Sequence, residues 1–299
     1  MILKLKPEKK KLPAAIRNNR KPLILKSNAA QMVPFILIIA VFIIVALFPG
    51  WFANHAPNIT DLTQRLMPPG YRSADGSLNL LGTDELGRDV FTRLLYGTRV
   101  SLSVSVAAVL ISGITGGLLG ILAGYYRNKL GTVIMRFADI VLSIPFFLLA
   151  ILTVAVLGPS LLNMIIVLGI ARWPRYVRVA QGKTLTTVNQ DFVKAAEVMG
   201  AGTGRILIRH ILPEIVPSLV VVATIEMGLM IIFEASLSFI GLGVQPPDPS
   251  WGSMLTSGQQ YVSQAWWLAT FPGCAIFLVV IAINQIGDLI RDALDPKVQ

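Results

Sequence analysis

Charged side chains are scarce in this sequence. Asp, Glu, Lys and Arg make up 14% of the 299 residues, whereas a soluble domain carries about 25%. Hydrophobic residues make up 54%, and many of them lie in long apolar runs. Few charges and several runs of membrane-spanning length are typical of a protein that crosses the bilayer repeatedly. The composition therefore predicts an all-α polytopic membrane protein rather than a soluble domain.

Cysteine and histidine are also nearly absent. The single cysteine, Cys274, allows no intrachain disulfide and leaves the redox compartment open. The two histidines, His55 and His210, form no His-Glu-x-x-His pair, which leaves a zinc protease unsupported. The Gly-Lys-Thr at 182–184 resembles the end of a phosphate loop, but Val177 stands where the first glycine is required. We therefore expect no catalysis, no metal and no cofactor in this chain.

Acidic residues are almost missing from the first 32 positions. Nine basic residues stand there against Glu8 alone, so most of the chain's net charge of +10 lies in this tail. A basic tail before an apolar run is a cytoplasmic topology signal that favours anionic lipid. No aromatic residues interleave a basic surface, so we expect no nucleic-acid partner. We divide the chain into a tail at 1–32 and a single transmembrane domain at 33–297.

Six apolar segments are long enough to cross the bilayer. They are expected at about 33–53, 100–125, 133–157, 161–179, 218–242 and 266–286. Basic residues predict which ends of the spans face the cytoplasm. They are Arg127 after the second span and, at the end of the fourth, Arg172, Arg175 and Arg178. Six crossings then place both termini in the cytoplasm. Five glycines in the second span, several of them four apart, predict close helix packing.

Several local features are predicted around these spans. An amphipathic helix capped by Thr83 or Asp84 should precede the second span. Pro145 should kink the third span, and Pro174 should break the fourth. Arg136 and Asp139, three residues apart, should form an ion pair. Prolines and glycines over 241–252 predict an irregular outer loop, either re-entrant or on the surface.

The longest mixed polar segment between two apolar runs is 190–213. It reads as a helix, a glycine turn and a second helix. Asp191 should cap the first helix, and left-handed glycines at 200 and 202 should end it. Thr203 should cap the second helix, which Pro213 should terminate.

This segment resembles the cytoplasmic loop of ABC importer permeases, which carries Glu-Ala-Ala, three residues, Gly and a Leu-Pro ending. Lys194 stands at the family's Glu position. The resemblance implies a coupling helix, within a loop at about 180–216, that docks on a separate ATPase subunit. We expect Glu197, one turn later, to replace the missing acidic contact. The predicted coupling residues are Asp191, Lys194, Ala195, Ala196, Glu197, Gly200, Ala201, Leu212 and Pro213.

Two further stretches, 81–102 and 234–254, resemble the dipeptide/oligopeptide subgroup of the same permeases. The resemblance implies a type I importer permease with a methionine-importer-like fold in a prokaryotic inner membrane. It also implies a second permease subunit, two ATPases that bind ATP and Mg, and an extracytoplasmic solute-binding protein. Peptides are the expected solutes. Nickel or metal-chelate import and glutathione import by similar permeases remain alternatives.

Two carboxylates, Glu226 and Glu234, lie inside the fifth apolar run. Intramembrane carboxylates are costly, so they normally face protein or a water-filled path. Each could line the solute pathway or close a gate, could be hydrogen-bonded between helices, or could be protonated. Both could instead form the relay of an ion-coupled secondary transporter, a carrier that would not need the cytoplasmic coupling loop.

Overall fold

A computed structural model describes residues 21–53, 55–73 and 76–294, with side chains from residue 32 onward. The basic tail before residue 21 and the last five residues lie outside the described residues. The helices are α1 Lys21–Leu47, α2 Val90–Tyr126, α3 Lys129–Ser143, α4 Phe146–Leu157, α5 Leu161–Thr187, α6 Asp191–Val198, α7 Thr203–Ile206, α8 Leu212–Phe239, α9 Trp251–Gln260 and α10 Trp267–Leu294. A short antiparallel pair, β1 Tyr71–Arg72 and β2 Leu78–Asn79, lies in the loop before α2.

The helices that could cross a membrane are recognised by length and hydropathy. Among the described residues, α2, the continuous helix Thr203–Phe239 and α10 qualify. Helices α3 and α4 qualify together as a pair bent by 89°, which is either a broken span or a re-entrant loop. The apolar part of α1, Met32–Leu47, is shorter than the 18 residues required of a candidate span. Helix α5 has the length, but it carries several basic residues. This helical architecture is consistent with the six crossings expected from the sequence.

Helices α2 and α5 form the closest pair in the bundle. A Cβ on Gly116 would lie 2.4 Å from the Trp173 carbonyl oxygen, and one on Gly120 would lie 2.6 Å from that of Val177. Gly124 faces Thr184 in the same way, so the contacts advance together along both helices, which therefore run parallel. The predicted packing role of the α2 glycines is confirmed, because only residues without a Cβ permit this approach.

The predicted helix starting at Thr83 or Asp84 is wrong. The Asp84 carboxylate accepts the backbone N–H of Leu86 and of Arg88, each at 2.9 Å, and so closes a turn instead of capping a helix. Gly87 has a φ of +73°, which interrupts any helix there. Helix α2 begins at Val90, where the Asp89 side chain accepts the N–H of Thr92, and continues into the second span without a break.

The charges of this turn are buried rather than solvated. Arg88 bonds Asp84 at 2.6 Å and Glu85 at 2.9 Å, and Arg93 of α2 lies 3.4 Å from Asp84. The Trp267 indole donates to the Thr83 carbonyl at 3.2 Å. These bonds fasten the loop before α2 to the start of α10.

Two proline predictions have opposite outcomes. The third span does break beside Pro145, between α3 and α4. Helix α5 passes through Pro174 without a break, so the predicted interruption is wrong. Long membrane helices tolerate proline where neighbouring helices and local adjustments satisfy the freed carbonyl. Asp139 pairs with Arg178 of α5 at 2.7 Å instead of with Arg136, because α3 packs against α5.

The loop after α8 is irregular from Ile240 to Pro249, as the prolines and glycines predict. The sequence prediction extended it too far, because Ser250 caps a further helix, α9. Trp251 at the start of α9 is fully buried and donates its indole N–H to the Leu94 carbonyl of α2 at 3.3 Å. This contact holds α9 against the bundle.

Candidate functional site

The segment between α5 and α8, predicted to be a cytoplasmic loop at 180–216, is shorter than predicted, because α5 continues to Thr187. After α7, a π-helical turn at Leu207–Ile211 leads directly into α8. The prediction that Pro213 ends the second helix is therefore wrong. Pro213 lies just after the π-helical turn, inside the continuous helix Thr203–Phe239, and local π adjustments of this kind accommodate proline within a helix.

The two predicted N-caps are also displaced by one residue. Gln190 is the N-cap of α6, and Asp191 is its first helical residue, where a carboxylate interacts favourably with the helix dipole. Gly202 precedes α7, and Thr203 is the first residue of that helix. Gly202 has a φ of −66°, so the prediction of a left-handed backbone there is wrong.

Gly200 ends α6 as predicted, with a φ of +81°. Its N–H donates to the Glu197 carbonyl at 2.9 Å, and the N–H of Ala201 donates to the Ala196 carbonyl at 3.0 Å. This pair of bonds is a Schellman motif, which satisfies the last carbonyls of a helix and reverses the chain. The motif fixes the angle at which α6 leaves the membrane domain.

Gly200→Ala is expected to destabilise the α6 end by about 1 to 2 kcal/mol, because a Cβ is strained in the left-handed region. Open space surrounds Gly200, so the cost is one of backbone conformation alone. Gly202→Ala is the matched control, because Gly202 is equally open but has a negative φ. Hydrogen exchange of the α6 amides should rise in the first variant only, and equal exchange in both would contradict this reading.

Helix α6 has one buried and one exposed face. Val193 is fully buried and Ala196 is 3% exposed, so both point into the chain's own core. That core joins α6 to α2, α5 and α8, and its buried members are Ile121, Ala180, Val193, Ile206, Ile211 and Ile215. Ala201 and Leu212 pack against it and are partly buried. The small size of Ala196 therefore serves packing within this chain, and its side chain is not on the outer surface.

The opposite face presents the other predicted coupling residues. Lys194, Ala195 and Glu197 are exposed. At the end of this face, Val198 is 89% and Met199 is 80% exposed. These two neighbouring apolar side chains make the end of α6 a candidate contact surface for another protein. The sequence prediction did not include Val198 or Met199, although both precede the glycine that it singled out.

Glu226 lies near the middle of α8 and is fully buried. Arg172 of α5 binds it with two bonds, at 2.7 and 2.8 Å, and Arg175 adds a third at 2.9 Å. Of the alternatives left open by the sequence, hydrogen bonding between helices is the one observed for Glu226. The sequence placed these arginines at the cytoplasmic end of the fourth span, but they lie near the middle of α5.

Glu234 lies two turns further along α8 and is also fully buried. Its Oε1 accepts the Ser238 hydroxyl at 2.9 Å, and its Oε2 has no hydrogen-bond partner among the described residues. Ser238 lies four positions after Glu234 on the same helix, a spacing at which side chains meet, so this contact could have been predicted from the sequence.

The sequence of this chain is similar to that of known transport proteins. Residues 116–299 match the family described as "Binding-protein-dependent transport system inner membrane component". The chain is 44% identical over 264 residues to the Di/tripeptide transport system permease protein DppC of Pseudomonas aeruginosa, covering 88% of this chain and 87% of that protein. It is 42% identical to the Dipeptide transport system permease protein DppC of Alkalihalophilus pseudofirmus, covering 92% and 88%.

A solved structure is similar in fold. An inward-facing structure of the MetNI methionine ABC transporter superposes with a TM-score of 0.55 at 22% identity, covering 68% of this chain and 97% of that one. This match confirms the predicted type I importer permease fold, and the sequence matches confirm the predicted family. The chain belongs to the family of binding-protein-dependent transport system inner membrane components.

Proposed function

We propose that this chain is the transmembrane permease subunit of an ATP-driven ABC importer for dipeptides or oligopeptides. The observation that carries the proposal is the identity of 44% to a di/tripeptide permease, which extends over nearly the whole of both chains. The segments that the sequence singled out before α2 and after α8 lie within this shared length. Peptides are favoured over nickel chelates or glutathione, because the relatives described above are named for di- and tripeptides.

Such a permease acts in an assembly. In our proposal a second permease subunit completes the translocation pathway, two cytoplasmic ATPases bind ATP and Mg, and an extracytoplasmic protein delivers the solute. This chain contributes residues 33–297 as one transmembrane domain in the cytoplasmic membrane. Its basic tail and C-terminus lie in the cytoplasm, on the same side as α6.

Coupling takes place at α6 in this proposal. An ATPase groove receives the exposed face of the helix, with Val198 and Met199 as apolar anchors and Lys194, Ala195 and Glu197 around them. Val193 and Ala196 hold the helix on the bundle core, so ATPase movement is transmitted to α5 and α8. Gly200, Ala201, Leu212 and Pro213 set the path of the chain back into the membrane.

Val198→Asp is expected to abolish ATP-driven uptake by removing an apolar anchor and placing a charge in the docking groove. Uptake should fall at least tenfold, and the ATPase subunits should no longer copurify. Val198 is 89% exposed, so folding of the chain itself should be unaffected. The measurement is peptide uptake into membrane vesicles, with copurification scored by mass spectrometry.

Val262→Asp is the matched control for this test. Val262 is also an exposed apolar residue, at 52%, but it lies beyond α9, remote from α6. It should leave ATPase binding and uptake intact. If Val198→Asp retains both functions as well, α6 is not the docking surface and this part of the proposal is wrong.

A further inference from the structure

The cluster of Arg172, Arg175 and Glu226 has an uncompensated positive charge. Two guanidiniums face one carboxylate, and no other acidic side chain makes an ion pair with them among the described residues. The cluster joins α5 to Glu226 of α8, which is part of a candidate membrane span, and ionisable side chains within a span are costly and usually mark a solute or ion pathway. Its excess charge therefore calls for an anionic partner.

The two arginines differ in exposure. The Arg172 side chain is 15% exposed and holds Glu226 with two parallel bonds, which makes this pair the fixed part of the cluster. The Arg175 side chain is 52% exposed and reaches Glu226 through Nη1 alone. A half-exposed guanidinium beside a candidate membrane span would be strongly disfavoured against lipid, so we expect Arg175 to face protein or water in the assembled transporter.

The remaining donors of Arg175 suit a carboxylate. Guanidinium presents its N–H groups as a planar fork that binds carboxylates with two bonds, and Glu226 occupies one side of that fork. Glu226 also holds Arg175 in place without neutralising the cluster. A second carboxylate arriving from the exposed side would complete the charge balance.

Aromatic side chains lie next to the charges. The Arg172 guanidinium stands 5.5 Å above the Phe233 ring, and Phe233 contacts Phe146 at a centroid distance of 4.3 Å. Phe147, which is 42% exposed, meets the edge of Phe233 at 6.1 Å. An anion with an apolar organic body fits such surroundings better than a strongly hydrated inorganic anion.

We propose that Arg175, held in place by Glu226, binds the carboxylate of the transported solute as it crosses the membrane. The inference rests on the proposed function, because it assigns this site to the pathway of a peptide importer. The ligand is the free C-terminal carboxylate of a short peptide. At this site the carboxylate exchanges water for one side of the Arg175 guanidinium. Its binding is therefore weak, which allows the solute to leave the site and continue across the membrane.

The test compares a radiolabelled dipeptide with its C-terminal amide. The complete transporter is purified from native membranes into nanodiscs, and equilibrium binding of both probes is measured without nucleotide or binding protein. The native complex should bind the dipeptide at least tenfold more tightly than the amide. Arg175→Gln should remove this preference, so that both probes bind as weakly as the amide does.

Arg178→Gln is the matched control, because Arg178 lies one turn along α5 with an equally exposed side chain of 54% but is paired with Asp139. It should retain the preference for the free carboxylate. A preference that survives in Arg175→Gln, or no binding by the native complex, overturns the site. Loss of the second permease from the Arg175→Gln complex also overturns it, because Arg175 would then pair with that subunit. ATP-driven dipeptide uptake by the native preparation tests the proposed function separately.

Discussion

Replacing Glu226 with alanine is expected to destabilise the protein by about 3 to 5 kcal/mol, the typical cost of removing one partner from a buried ion pair. The carboxylate is fully buried and accepts three hydrogen bonds from two arginines. Its loss leaves Arg172, which is itself largely buried, without a counter-charge. Thermal unfolding of the purified protein should show a markedly lower midpoint, and less protein should accumulate in the membrane.

Asp139→Ala provides the control for this prediction. It also removes a carboxylate that pairs with an arginine of α5, at the same 2.7 Å distance, but both partners are about half exposed. Exposed pairs contribute about 0 to 1 kcal/mol, so this variant should unfold nearly as the native protein does. Equal losses of stability in the two variants would show that burial does not increase the contribution of the Glu226 ion pairs to stability.

A double variant separates the ion pair from the packing around it. Arg172→Met together with Glu226→Leu replaces the fixed pair with apolar side chains. Such replacements of buried pairs are often neutral or stabilising. The double variant should therefore be more stable than Glu226→Ala, although it should still lose the solute site, because Arg175 no longer has an anchor. A double variant less stable than the single one would contradict the charge argument.

Gly116→Ala is expected to have the second large effect, because a single methyl group would separate α2 from α5. The new Cβ would lie 2.4 Å from the Trp173 carbonyl oxygen and 2.6 Å from the Tyr176 Cβ. The first of these atoms is part of the α5 backbone and the second is bonded directly to it, so neither can rotate away from the new methyl group. Overpacking of this kind costs about 1 to 3 kcal/mol. At the α2–α5 contact it would also shift α5, the helix that carries Arg172 and Arg175.

Gly113→Ala is the matched control on the same helix. The nearest atom to its Cβ would be Cε1 of the Tyr176 ring at 3.4 Å, a contact that a small ring movement relieves. Alanine also has a higher helix propensity than glycine, by roughly 0.5 to 1 kcal/mol. This variant should be as stable and as active in uptake as the native chain. Equal destabilisation by both changes would contradict the close packing of α2 against α5 at Gly116.

The sequence predicted the features of this fold that depend on local chemistry. The apolar runs predicted the long helices, the glycine spacing predicted close packing of α2 against another helix, and Gly200 predicted the end of α6. These predictions hold because hydropathy, absence of a Cβ and a positive φ are properties of single residues or short spacings.

The predictions that failed depend on contacts distant in sequence. Pro174 does not break α5, and Pro213 does not end the coupling segment, because tertiary packing continues both helices. Asp84 closes a turn whose charges are neutralised by Arg88 and Arg93. The partners of Glu226 lie more than 50 positions away on another helix. No spacing within the sequence could have joined them.

The most direct test of the function is the identity of the proteins that assemble with this chain. The tagged chain is solubilised from native membranes in detergent and isolated, and its partners are identified by mass spectrometry. An importer permease should bring a second six-span permease and ATP-binding subunits, and a copurifying solute-binding protein would identify the solute class. Recovery of the chain alone, together with uptake that persists without ATP, would contradict the importer and favour an ion-coupled carrier.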